Sequence, residues 1–208
     1  MAKIHTIIFD FDGVILDSVP VKTEAFRRLF EAFPSEQVEQ FIAYHEYNGG
    51  ISRYVKIQYF FEQLLQTSIS QAEISSYATR YSELTKEELS KPQYLITQTL
   101  TFIQAHYQHL NLHIASGADQ ADLRYICNAL GLSKYFLTIG GSPTPKGEIV
   151  KEILLAHHYT QEETILIGDS INDFAAAEAN HIGFYGFNNP DLQADHPYIE
   201  QFETVDFL

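Results

Sequence analysis

Cysteine is nearly absent from this chain of 208 residues: Cys127 stands alone, so no internal disulfide is possible and the composition suits a reducing compartment. Its leucine-rich surroundings read as packing. Basic residues are also scarce. Thirteen Lys and Arg face 27 Asp and Glu, a formal net charge of −14, which opposes binding to nucleic acid or an anionic membrane. Long apolar runs are missing too: no stretch of 18 apolar residues occurs, and the first apolar run is broken by Asp10 and Asp12. That speaks against a membrane helix and a signal peptide, and a cytoplasmic location is the expectation. Charged residues at 19% are too few for a disordered chain, whereas 45% hydrophobic and 13% aromatic residues are ample for a packed interior.

The stretch that organises the rest is Ile7-Ile8-Phe9-Asp10-Phe11-Asp12-Gly13. An apolar, β-branched run reads as a buried strand, and this one ends abruptly in two acids and a glycine. In extended backbone residues i and i+2 project to one side, so Asp10 and Asp12 can address one point beyond the strand end. Close carboxylates repel unless a cation, a proton or hydrogen bonds separate them, and Mg²⁺ prefers such oxygens. From Ser18 to Ser90 the periodicity is helical, with helices expected over 21–30, 35–44, 52–65 and 71–89 and a flexible turn at Asn48-Gly49-Gly50. The second half alternates instead. Strands are expected over 110–115, 136–139 and 164–167, with an edge strand over 182–185 and helices between them. The spacing predicts an α/β fold, a doubly wound parallel sheet built from residues 1–17 and 90–208, with an inserted all-helical cap over 18–89.

Polar residues close the strands. Ser116 and Gly117 follow one, Asp169 another, and Lys146 sits in the loop after a third; in a parallel sheet these ends share one edge. Taken singly, the serine is a turn residue, the lysine a solvated side chain and the aspartate a helix cap. Convergence of these three with Asp10 at one edge makes those ordinary readings improbable together. Asp173 lies four residues beyond Asp169, on the same face if a helix begins at once.

These segments resemble, in order, the four motifs of the haloacid dehalogenase superfamily: Asp-Phe-Asp-Gly-Val, Ser116-Gly117, Lys146 and Gly168-Asp169-Ser170-Ile171-Asn172-Asp173. Val14 departs from the threonine many members carry, which bears on subfamily. The resemblance implies Asp10 as nucleophile, Asp12 as general acid and base, and Ser116, Gly117 and Lys146 as phosphoryl holders. It implies Mg²⁺ on Asp10, Asp169 and the backbone carbonyl of Asp12, with Asp173 a water-mediated ligand or an acid that orients Lys146. An acid at position 12 favours phosphate esters over carbon–halogen or carbon–phosphorus bonds. Gly50-Ile51-Ser52-Arg53 looks like the cap loop of β-phosphoglucomutase-like members, making Arg53 the leading specificity residue and Lys56 a weaker one. Lys22, where mutases of that branch carry histidine, argues against their specificity yet can reach the site from the hinge. The expectation is a Mg²⁺-dependent phosphatase of a small phosphorylated metabolite, a sugar phosphate or phosphoglycolate-like acid, acting through an aspartyl-phosphate. The rivals are a sugar phosphomutase and a non-catalytic phosphate-binding protein. The partner is a small phosphate ester, the oligomeric state is left between monomer and dimer, and the nine histidines read as surface or packing residues.

Overall fold

Strand β1 (Thr6–Phe9) is buried along its whole length, as a strand covered on both faces must be. Its flanks are β2 (Asn111–Asp119) and β4 (Thr164–Gly168), both parallel to it, with Ile7 opposite Leu112 on one side and Ile165 on the other. With β3 (Thr138–Ser142), β5 (Gly183–Phe187) and β6 (Tyr198–Ile199) the sheet has six strands in the order β3-β2-β1-β4-β5-β6, every pair parallel. This computed structural model describes residues 3–205.

Alternation along the strands sets the two layers. Ile7, Phe9, Leu112 and Ile114 pack under α5 (Thr97–His106) and α6 (Gln120–Ala129), while Ile8, Ala115 and Leu166 pack under α7 (Lys146–His157) and α8 (Ile171–Ala179). The sheet is doubly wound, as the alternating second half of the sequence implies. Helices α1 (Val19–Leu29), α2 (Ser35–Tyr47), α3 (Arg53–Tyr59) and α4 (Gln71–Leu89) fall between β1 and α5 and bury a hydrophobic cluster of their own around Phe26, Phe30, Phe41, Phe60 and Tyr81.

Several boundaries differ from the sequence reading. The helix expected over 52–65 gives way to a π turn at Phe60–Leu64. Widening the helix there lets two successive aromatics serve one cluster: Phe60 stacks on Phe30 at 3.9 Å and Phe61 meets Phe33 at 5.4 Å. Strand β3 is shifted forward and takes in Gly140 and Gly141. Those glycines serve close packing rather than a loop, because a Cβ on Gly140 would lie 2.5 Å from Ile149. The segment read as an edge strand, β5, is interior. The tail supplies β6 outside it.

Candidate active site

Because β1 and β4 are in register, with Phe9 opposite Ile167, the residues that follow them emerge side by side. The amide of Asp10 donates to the carbonyl of Ile167 at 2.9 Å. Carboxylate oxygens of Asp10, Asp169 and Asp173 consequently lie within 4.8 Å of one another. Lys146, at the first position of α7, completes the group: its Nζ is 3.0 Å from Asp10 Oδ1 and is ion-paired with Asp173 Oδ1. Phe11 N–H donates to the same Asp10 oxygen at 2.7 Å. The other oxygen, Oδ2, is buried and has no partner.

The charges do not balance. Three buried or half-buried acids face one ammonium, so burial and then the charge of Asp173 push the Asp10 carboxyl up to about 7. Burial and then Asp10 raise Asp169 well above the carboxylate range. Burial alone would strip the charge from Lys146, but Asp10 and Asp173 outweigh it and hold the lysine above its ordinary value. A surplus of anionic oxygen with one orphaned atom fits a hard divalent cation. Asp173 is otherwise committed, since its second oxygen accepts from Ser170 N–H and from Ser170 Oγ at 2.7 Å and so closes the capping box of α8.

Asp12 stands apart from that cluster. Ser18 Oγ donates to it at 2.6 Å and Lys22, on α1, forms an ion pair with its other oxygen. Burial works to raise this carboxyl, yet the charge and hydrogen bond of Lys22 prevail and hold it below the usual range. Gly13 turns the chain here with φ +73°, and a Cβ would fall 1.9 Å from Asp169 Oδ2, so the acid occupies the space the glycine leaves. Ser116 is fully buried, its Oγ accepting from Ala118 N–H at 3.1 Å, and a Cβ on Gly117 would meet the carbonyl oxygen of Gly50 at 2.0 Å. The helical block therefore rests directly on the strand ends. Between them lies a cavity of about 590 Å³, whose walls include Asp12, Lys22, Arg53, Lys56, Gly117 and Asp169.

Residues 7–187 match the family model of the haloacid dehalogenase-like hydrolases. The chain belongs to that family. Among curated relatives, a phosphoglycolate phosphatase of Photobacterium profundum is 26% identical over 92% of each chain. A phosphorylated carbohydrates phosphatase of Thermotoga maritima is 25% identical over 84% of this chain and 81% of its own. Among solved structures, a β-phosphoglucomutase from Clostridium difficile superposes with a TM-score of 0.78 at 18% identity, over 98% of this chain and 94% of that one.

Within this haloacid dehalogenase-like frame the residues of the helical block are not equivalent. Arg53 is buried and pairs with Asp122 of α6 at 2.8 Å, bonds Ser82 at 2.7 Å and lies over the Tyr81 ring. Tyr54 donates to Asp119 at 2.8 Å and Asn172 to the Gly49 carbonyl at 2.8 Å, two contacts that sequence reasoning did not foresee and that tie the helices to the sheet. No local pattern marks them, because each contact joins segments more than 60 residues apart. His45 packs edge-on to Phe26, as its reading as a packing residue implies, and it also lines the cavity.

Proposed function

We propose that this hydrolase is a Mg²⁺-dependent phosphatase of a small phosphorylated metabolite, working through an aspartyl-phosphate on Asp10. The observation that carries the reading is the asymmetry of Asp10: one oxygen held by Phe11 N–H and Lys146, the other buried and unpartnered beside Asp169. Held this way, the free oxygen is presented for in-line attack on phosphorus with little reorganisation. Asp12, once protonated, gives that proton to the leaving oxygen and as the carboxylate then takes the proton of the attacking water. Its ionisation, maintained by Lys22, suits the second of those duties. Lys146, Ser116 and the backbone at Gly117 carry the phosphoryl oxygens, and Asp173 keeps Lys146 aimed at them. Asp10, Asp169 and the carbonyl of Asp12 would hold the cation, which when bound offsets phosphate charge.

Residues 18–89 act as the cap that closes over the substrate, with Arg53, Lys22 and Lys56 on its inner wall. The phosphatases named among the relatives support hydrolysis, and the phosphoglucomutase neighbour keeps phosphoryl transfer to a second sugar hydroxyl as the rival. Stoichiometry separates them: a phosphatase releases one inorganic phosphate per monophosphate without a bisphosphate activator. The test is a panel of phosphate esters with Mg²⁺, run on wild type and Asp10→Asn. Turnover by the wild type that vanishes in the variant is expected; no turnover on any ester would leave a phosphate-binding protein on this fold.

A further inference from the structure

Lys56 is 3% exposed, yet no carboxylate of the described residues pairs with it. Its Nζ meets only His45, through Nδ1 at 2.8 Å and the carbonyl oxygen at 3.1 Å. An ammonium can only donate, so His45 Nδ1 is the acceptor and the ring proton resides on Nε2. That Nε2 is buried with no acceptor of its own. Two donors, one of them cationic, thus lie without a paired anion in the cavity wall; the carboxylates of Asp12 and Asp169 act on Lys56 only from a distance. A buried cation and an orphaned N–H both carry a desolvation cost that only an acceptor offsets.

We propose that Lys56, backed by His45, is the subsite for a second anionic group of the substrate, and that this group is a carboxylate: the substrate is the phosphate ester of a short hydroxy acid. The inference rests on the phosphatase reading and narrows it. Arg53 is not the equivalent cation, because Asp122 already neutralises it. One positive charge on Lys56 matches one carboxylate, whereas a second phosphoryl group carries nearly two negative charges and would leave one uncompensated in a buried place. Burial and the nearby charge of Lys22 push Lys56 down to about 7, so a bound carboxylate also keeps its ammonium charged.

The experiment compares three esters with one two-carbon skeleton: 2-phosphoglycolate, neutral 2-hydroxyethyl phosphate and ethylene glycol bisphosphate. For the wild type, kcat/KM for the carboxylate ester should exceed that for the neutral one by about 10- to 100-fold, the range for a hydrogen bond to a charged group. Lys56→Gln, which keeps a donor for His45 and removes the charge, should erase the difference through KM, the carboxylate ester falling to the level of the neutral one. Lys56→Arg should restore part of it. Circular dichroism melts check that each variant folds. Equal treatment of the three esters by the wild type, an equal fall in kcat for all of them in Lys56→Gln, or a dependence on Lys56 confined to the bisphosphate would each overturn the assignment. Calorimetric binding of the same three compounds to Asp10→Asn, with and without Lys56→Gln, decides the subsite without turnover. Preference for the carboxylate there, with no hydrolysis by the wild type, would sink the phosphatase and keep the subsite.

Discussion

The acids at the strand ends announce themselves individually, because a carboxylate closing a buried strand has no packing explanation. Asp10, Asp12 and Asp169 are legible for that reason, Ser116, Lys146 and Asp173 only through their convergence with them, and the structure brings oxygens of Asp10, Asp169 and Asp173 within 4.8 Å of one another with Lys146 paired to Asp10 and Asp173. What the chain could not disclose is how each charge is held. Lys22 on Asp12 and Lys56 on His45 depend on the docking of helices, which no spacing encodes. Asp10→Asn should fold and melt at least as high as wild type in the absence of metal, since one like charge leaves the cluster. Its phosphate release should fall by about 10⁴-fold or more, as for other nucleophile deletions. Lys146→Met should instead cost about 3–5 kcal/mol in urea unfolding, because two buried acids lose their shared counter-charge. A variant as stable as wild type would mean that the acids have found protons.

Elements with a clear period were readable and those bent by packing were not. The helices of both halves and three of the strands appear where apolar spacing puts them, to within a few residues. The π turn at Phe60–Leu64 and the forward shift of β3 arise from aromatic crowding and from glycines under α7, which are tertiary causes. One contact between elements is decisive for closure. With Gly50 O where a Gly117 Cβ would sit, Gly117→Ala must push the Gly49-Gly50 turn away from the sheet. Both residues lie outside the hydrophobic clusters, so unfolding free energy should change by less than about 1 kcal/mol. kcat/KM should fall by about 10²-fold, the scale of an ångström-sized misplacement. Activity equal to wild type would show that the closed contact is dispensable.

For the whole molecule, the composition set the class and the motifs set the fold, while the electrostatic response emerges only from the assembled structure. His113 is buried in β2 between Thr138 and Tyr159, and burial followed by His157 lowers it to about 4. An exposed histidine titrates near 6.5, so between those values the unfolded chain binds more protons. The contribution is complete above about pH 6.5 and is lost as pH falls through 4. His113→Gln should therefore lose less stability than wild type between pH 7 and 4, by about 2–3 kcal/mol in urea midpoints converted to free energy. Parallel curves would place the acid sensitivity elsewhere. Mg²⁺ should raise the melting temperature of wild type by mass action and leave Asp169→Asn unmoved.

The register of β1 has one more consequence. Its partners, near residues 112 and 165, leave the ribosome more than a hundred and more than a hundred and fifty residues later, so this segment waits for both before it is paired. The four helices that follow it, carrying their own cluster of aromatics, emerge complete while it waits. The emerging chain thus holds Asp10 at the end of an unpaired apolar strand, and the cluster of three acids can assemble only when synthesis has passed Asp173.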